Sequence, residues 1–211
     1  MGCLRIRELL HEEEEPSTLL YKKKILLIGL DNSGKTTILN FIKSKTFVQT
    51  EPTVGLNIET IIIKNFEFLI FDVGGKVRTL WSHYYENLSA IIFAIDSTDR
   101  PRLWEIREEL KKINQELKYQ AIPALIFYNK QDLPEKVIEF SELIDSTGIK
   151  EILDMDVIVQ KCSAKTGEGL YEGLDKLCSF LLVSEKRGDA GNKLNLTYSI
   201  SSNVQENFLK L

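Results

Sequence analysis

The sequence has few of the features that mark secreted, membrane-spanning or nucleic-acid-binding proteins. Its 211 residues include three cysteines without metal-binding spacing, which fits a reduced, intracellular protein better than a disulfide scaffold. No apolar run is long enough to span a bilayer. The formal net charge is −4, so no nucleic-acid partner is expected. A content of 43% hydrophobic and 27% charged residues is typical of a globular domain.

Apolar runs typical of buried strands alternate with segments of helical periodicity between residues 21 and 183. "KKKILLIG" (22–29) ends in glycine and precedes a predicted helix over 35–44, and "LNIETIII" and "FEFLIFD" flank a hairpin turn. This alternation predicts one α/β domain, with a six-stranded, mostly parallel sheet and helices on both faces. Ligands of such sheets bind at the carboxyl ends of the strands.

A phosphate-binding loop is indicated by "GLDNSGKTT" (29–37), which lies between a predicted strand and a predicted helix. Gly29 and Gly34 let backbone amides curl around phosphate oxygens, and Lys35 can reach the outer phosphates. Thr36 offers a hydroxyl to Mg²⁺, and Asp72, at the end of a later strand, suits the residue that holds Mg²⁺ through water. The alternative is an ordinary glycine turn, which would not have to lie between a strand and a helix.

A second motif, "YNKQD" (128–132), predicts recognition of guanine. The Asp132 carboxylate can accept two adjacent hydrogen bonds, which guanine offers through its ring N–H and exocyclic NH₂ and adenine does not. Lys130 can lay its aliphatic stem along the base, and "CSAK" (162–165) can present the Ala164 N–H to the guanine oxygen. An Asn-Lys turn without function is the alternative. A P-loop kinase or ATPase is a rival class that "NKQD" disfavours.

These motifs resemble the Ras superfamily of small GTPases, and more closely its ADP-ribosylation-factor (Arf) and Arf-like branch, over about residues 20–183. "GLDNSGKTT", "PTVGLNIET", "DVGG", "LWSHYY", "IDSTDR", "NKQD" and "GLYEGLDKL" all look like that branch. The resemblance implies a P-loop NTPase small-GTPase fold that binds GTP or GDP with Mg²⁺. It also implies a molecular switch in vesicle or protein trafficking, in which the loss of the γ-phosphate releases two loops.

The resemblance implies a role for each matching residue. Magnesium ligands are expected to be Thr36, Thr53 and Asp72, and Lys35 and Gly75 are expected to act on the reacting phosphate. The implied nucleotide-binding residues are Gly29, Leu30, Asp31, Asn32, Ser33, Gly34, Lys35, Thr36, Thr37, Thr53, Gly75, Asn129, Lys130, Asp132, Ser163, Ala164 and Lys165.

The sequence departs from the family pattern directly after "DVGG". Family members carry a glutamine there, whereas Gly75 is followed by "KVRTLW". Either two residues are missing, the glutamine among them, or Lys76 replaces it. A charged lysine cannot accept a proton from water, so we expect slower intrinsic hydrolysis than in relatives with the glutamine. Two alternatives stay open: a partner that supplies all catalysis, and a GTP-locked module that only recruits effectors.

Both ends of the chain fall outside the expected 21–183 domain. Residues 1–20 are predicted to form an amphipathic helix and an acidic linker, with Gly2 open to myristoylation and Cys3 to palmitoylation. Residues 184–211 are predicted to be a flexible tail, and the alternative is a segment that binds a partner. Family analogy implies a cytoplasmic protein peripherally attached to the Golgi or another endomembrane.

The resemblance also implies an exchange factor, a GTPase-activating protein and effectors as partners. Trp81, Tyr84 and Tyr85 follow the second predicted switch. They are expected either to pack a short helix on the sheet or to form part of an effector-binding surface, and these two roles are compatible.

Overall fold

The computed structural model of the protein describes residues 20–117, 120, 122–149 and 156–189. Their six strands form one sheet in the order β2-β3-β1-β4-β5-β6, in which β2 and β3 are antiparallel and all other neighbours are parallel. The predicted six-stranded, mostly parallel sheet is therefore confirmed. The strands are β1 Tyr21–Ile28, β2 Leu56–Ile63, β3 Phe66–Val73, β4 Ala90–Asp96, β5 Ala124–Asn129 and β6 Val157–Lys161.

Helices connect the parallel strands. The α-helices of the described ranges are α1 Lys35–Ser44, α2 Leu103–Leu117, α3 Phe140–Thr147 and α4 Leu170–Asp189, and Arg78–Tyr84 and Arg100–Arg102 form 3₁₀ helices. The start and end of α1 are those predicted. α4 continues to Asp189, so residues 184–189 of the segment expected to be a tail are helical. The expected N-terminal helix, Gly2 and Cys3, and residues 190–211 lie outside the described residues.

The sheet carries a hydrophobic core on each face. Helices α2 and α3 cover one face and α1 and α4 cover the other, which is the two-sided arrangement predicted. Every residue of β4 is buried. Its Phe93 faces the α2 side and its Ile92 the α1 side, because successive side chains of a strand point to opposite faces. This two-sided burial explains why the strand reads as an unbroken apolar run.

The aromatic residues after β3 mostly pack inward. Trp81 is 1% exposed and meets Phe93 edge-to-face at 6.2 Å between ring centroids. Tyr85 is also buried, whereas Tyr84 is half-buried and lies against Phe71. Packing on the sheet therefore accounts for Trp81 and Tyr85, and Tyr84 retains accessible surface.

Strand register brings the polar strand ends to one edge of the sheet. Asp72 of β3 is level with Leu27 of β1, and Asp96 of β4 is level with Asn129 of β5. The loops that follow these parallel strands start from the same edge, which is where ligands of α/β sheets bind. Within the described ranges, no helix combines the length and the apolar character needed to cross a bilayer.

The two tryptophans of the chain give a matched test of this packing. Trp81→Ala should lower the free energy of unfolding by about 3–5 kcal/mol, since it removes a large buried side chain. Trp104 is 65% exposed, so Trp104→Ala should change it by less than about 0.5 kcal/mol. Urea unfolding followed by circular dichroism measures both values. Similar losses in the two variants would contradict this account of the core.

Candidate nucleotide-binding site

Two adjoining cavities occupy the carboxyl edge of the sheet. The larger, which we call the phosphate cavity, has a volume of about 540 Å³, and the smaller, which we call the base cavity, about 180 Å³. Gly34, Thr37, Phe47 and Lys130 line both of them. A continuous cleft of this size suits a small-molecule ligand. The phosphate cavity is lined by Asp31, Asn32, Gly34, Lys35, Thr36, Thr37, Phe47, Gln49, Thr50, Glu51, Pro52, Thr53, Gly75, Lys76 and Lys130.

The loop between β1 and α1 has the conformation that its glycines predict. Gly34 has φ of +89°, and a Cβ there would lie 2.3 Å from Nδ2 of Asn129, so only glycine fits. The Lys35 ammonium donates to the carbonyl oxygens of Gly29 at 2.8 Å and Leu30 at 2.7 Å. Burial lowers the pKa of Lys35 to about 8. The lysine thus lies under its own loop as a poorly solvated cation.

A polar atom in this loop lacks a partner. The Ser33 hydroxyl is buried and makes no hydrogen bond among the described residues. Buried hydroxyls are costly to leave unpaired. The free hydroxyl, the glycine geometry and the adjacent lysine therefore fit a phosphate group.

The three predicted magnesium ligands converge behind this loop. The Thr36 hydroxyl donates to Oδ2 of Asp72 at 2.8 Å and lies 2.5 Å from the Thr53 hydroxyl oxygen. Asp72 is fully buried, and its Oδ1 has no partner in the described part of the chain. Burial raises the pKa of Asp72, although the Thr36 hydroxyl and the charge of Lys35 oppose this shift.

This set of oxygens suits a hard divalent cation. Two hydroxyls and one carboxylate are donors that Mg²⁺ accepts, with waters and phosphate oxygens completing its shell. The described residues contain no group of three or more His, Cys, Asp or Glu side chains that could hold a metal by themselves. A metal here would therefore depend on a ligand in the phosphate cavity.

The segment after β3 closes tightly on the phosphate loop. A Cβ on Gly75 would lie 2.3 Å from the backbone nitrogen of Asp31, so any side chain at this position would displace the loop. The Gly74 amide donates to the carbonyl oxygen of Gly55 at 2.9 Å. These contacts place the segments that carry Thr53 and Gly75 against each other and against the phosphate loop.

Asp132 is held at the base cavity by its neighbours. Its Oδ1 accepts from the Ser163 hydroxyl at 2.7 Å, and its Oδ2 lies 3.8 Å from the Lys165 ammonium. Lys130 has φ of +69°, and its ammonium pairs with Oδ2 of Asp96 at 2.6 Å. Asp132 and Lys130 thus both line the base cavity, where guanine recognition is predicted.

Asn129 and Ala164 are joined by a buried hydrogen bond at the base cavity. The Ala164 N–H, expected to face a guanine oxygen, donates to Oδ1 of Asn129 at 2.9 Å. Nδ2 of Asn129 donates to the carbonyl oxygen of Ser33 at 2.9 Å. Asn129 therefore links the phosphate loop to the loop after β6, while both Asn129 and Ala164 line the base cavity.

Five predicted site residues line neither cavity and lie buried behind them: Gly29, Leu30, Ser33, Asp72 and Ser163. Sequence reasoning missed other residues, among them Gln49, Thr50, Glu51 and Pro52 of the phosphate cavity. Phe47 lines both cavities, but nothing in "SKTFVQT" distinguishes it from any loop aromatic. Arg102 donates to both the side chain and the carbonyl oxygen of Asp31, at 2.9 and 3.1 Å, a contact across 71 residues that no local pattern encodes.

A glycine-rich loop, a buried Lys-Thr-Asp cluster and an Asn-Lys-x-Asp loop at one sheet edge define a P-loop nucleotide-binding protein of the small-GTPase class. The model of the ADP-ribosylation factor family matches residues 16–181. The solved structure of the Arl6 BBS3 small GTPase from Trypanosoma brucei, with a bound nucleotide analogue GppNp, is also similar. It has a TM-score of 0.70 and 31% identity, and the match covers 77% of this chain and 99% of that one. The chain belongs to the ADP-ribosylation factor family, and the predicted small-GTPase fold is confirmed.

Asp72→Asn tests the metal cluster. The amide keeps the shape and can still accept from Thr36, but it removes the charge that a divalent cation needs. Stabilisation by a non-hydrolysable GTP analogue with Mg²⁺, relative to EDTA, should disappear, with at least about a tenfold loss of analogue affinity. Thermal unfolding with and without Mg²⁺ measures this effect. Asp175→Asn, on exposed α4 surface, is the control, and an Mg²⁺ response in Asp72→Asn equal to that of the control would refute the assignment.

Proposed function

We propose that this protein is a Mg²⁺-dependent GTP-binding switch acting in vesicle or protein trafficking. The observation that carries this function is the convergence of Thr36, Thr53 and Asp72 behind a cavity that continues into a pocket lined by Asp132. The three converging residues would hold the metal and the triphosphate, and the pocket lined by Asp132 would hold guanine. Mg²⁺ would neutralise phosphate charge there.

The switching role is supported by the segment that carries Thr53, which has no regular secondary structure. Thr53 belongs to residues 45–55, which contain no helix or strand, and its hydroxyl oxygen lies 2.5 Å from that of Thr36. Gly75 touches the phosphate loop through its backbone. A γ-phosphate and its metal would add contacts to Thr53 and Gly75, and hydrolysis would remove those contacts and release the segment that carries Thr53.

Effector binding is supported by apolar surface beside these segments. Val54 is 97% exposed, and Leu56, Ile58 and Ile62 of the edge strand β2 are also exposed. Clustered exposed apolar side chains favour a protein partner. An exchange factor and a GTPase-activating protein complete the set of partners in this proposal.

Membrane attachment is the part of the proposal that concerns residues outside the described ranges. Gly2 follows Met1 and is adjacent to Cys3, so two acyl groups could be attached side by side. Two lipid signals are needed for stable anchoring. We place the protein in the cytoplasm, peripherally bound to the Golgi or another endomembrane.

Slow hydrolysis is proposed because no glutamine follows Gly75. Lys76 stands there and lines the phosphate cavity. In the described ranges, the carboxamides that line the phosphate cavity are Asn32, in the phosphate loop, and Gln49, on the segment before Thr53. The same observation favours the second candidate function, a GTP-locked module that recruits effectors without turnover.

Asp132→Asn tests the base assignment. An amide presents one acceptor and one donor, which match the ring N–H and the C2 carbonyl of xanthine instead of the two donors of guanine. GTP affinity should fall at least about a hundredfold, because a buried polar group is left unpaired, while affinity for xanthosine triphosphate should rise. Competition binding with GTP, ATP and xanthosine triphosphate measures the change. Retained guanine preference in the variant, or ATP preference in the wild type, would refute guanine recognition.

Insertion of Gln-Asp between Gly75 and Lys76 tests the hydrolysis proposal. Single-turnover GTP hydrolysis should accelerate at least about tenfold, because a neutral carboxamide can position the attacking water. An inserted Ala-Asp pair controls for loop length. Gln49→Ala should leave the wild-type rate unchanged. The proposed role of the missing glutamine would be contradicted if the Gln-Asp insertion did not raise the hydrolysis rate. It would also be contradicted if Gln49→Ala lowered that rate.

A further inference from the structure

The segment between β3 and the first 3₁₀ helix is fixed on both sides of Lys76. Gly75 contacts the backbone of Asp31. The Val77 amide donates to the carbonyl oxygen of Gly74 at 3.2 Å, and its side chain packs against the core. The backbone at position 76 therefore has little freedom to move away from the phosphate loop.

Arg78 braces this segment on α2. Its Nη2 donates to Oε2 of Glu105 at 2.6 Å, and its Nη1 lies 3.5 Å from Oε1 of Glu109. Its Nε donates to the carbonyl oxygen of Gly75 at 3.3 Å. Glu109 is buried and also pairs with Lys112 at 2.9 Å, which fixes the brace at its base. Arg78 thus ties the Gly75 carbonyl to helix α2.

Lys76 is the residue of this segment whose side chain remains available. It is exposed, lines the phosphate cavity, and makes no hydrogen bond or ion pair within the described ranges. The carboxylates that line the cavity are Asp31, which Arg102 engages, and Glu51, which forms no ion pair with Lys76. The other lysines of the cavity, Lys35 and Lys130, are bound to loop carbonyls and to Asp96.

We infer that Lys76 binds the terminal phosphate of the bound nucleotide and makes the site selective for the triphosphate over the diphosphate. This inference rests on the proposed guanine-nucleotide binding. GTP carries more negative charge than GDP, and the extra charge lies at the end of the chain that Gly75 and Lys76 face. An ammonium group at that end strengthens GTP binding more than GDP binding, and salt weakens this preference because the lysine is exposed. A charged lysine cannot accept a proton from water, so it does not replace the missing carboxamide.

The test compares affinities for a non-hydrolysable GTP analogue and for GDP, using full-length protein with Mg²⁺ and fluorescent-nucleotide competition. Lys76→Ala should weaken analogue binding about tenfold, with GDP binding changed by less than about twofold. Lys76→Arg should keep the wild-type ratio, because the charge remains. In the wild type, the Kd for GDP divided by the Kd for the analogue should fall as the salt concentration rises. In Lys76→Ala this quotient should change little with salt. The control is Lys22→Ala at the amino end of β1, where the side chain is 81% exposed.

The possible results separate the role of Lys76 from nucleotide binding itself. If Lys76→Ala leaves the ratio of the two affinities unchanged, whether or not both fall by the same factor, the role assigned to Lys76 is overturned. The proposal of nucleotide binding would not be affected. Failure of the wild type to retain either nucleotide would instead refute the proposed function. Lys76→Glu is the second variant, and it should weaken analogue binding further than Lys76→Ala because it reverses the charge. Equal thermal stability of the variants without nucleotide checks that they fold.

Discussion

The site depends on the side-chain amide of Asn129, which holds two loops at a fixed spacing. It donates to the carbonyl oxygen of Ser33 in the phosphate loop and accepts from the Ala164 N–H after β6. Both bonds are buried, so each is expensive to lose. Because Asn129 ends β5, the central sheet itself sets the distance between the phosphate cavity and the base cavity. Gly34 completes this arrangement, since a side chain there would occupy the space of the amide.

The same region carries charges that the fold alone does not satisfy. Burial lowers the pKa of Lys35 and raises that of Asp72, so the charged forms of both groups are poorly solvated. The Ser33 hydroxyl and Oδ1 of Asp72 have no partner among the described residues. In the proposed function, a phosphorylated ligand with a divalent cation would supply what each of these atoms lacks. Unpartnered buried polar atoms are thus concentrated at the proposed binding site, where a sequence shaped by function is expected to break local rules.

The parts of the structure set by local pattern could be predicted from the sequence. The buried strand β4, helix α1 and the loop between β1 and α1 follow from periodicity and glycine spacing, and parallel strands then bring Asp72 and Asn129 to one edge. Contacts that depend on the direction of long side chains could not be predicted. Arg102 reaches Asp31 across 71 residues, and Phe47 lies in a loop without any pattern. The Ala164 amide could be placed near the base, but its bond to Asn129 requires the packed fold.

The length of the segment after β3 links its anchoring to its chemistry. Only Lys76 and Val77 lie between Gly75, which touches the phosphate loop, and Arg78, which bonds to α2. Val77 packs inward, so the exposed direction at this turn is left to Lys76, beside the phosphate cavity. A family member with two more residues here could present a neutral carboxamide to water from a longer loop. We propose that Lys76, which can only attract an anion, stands in this chain where relatives have a group that can position a nucleophile. On this proposal the change favours holding the triphosphate over cleaving it.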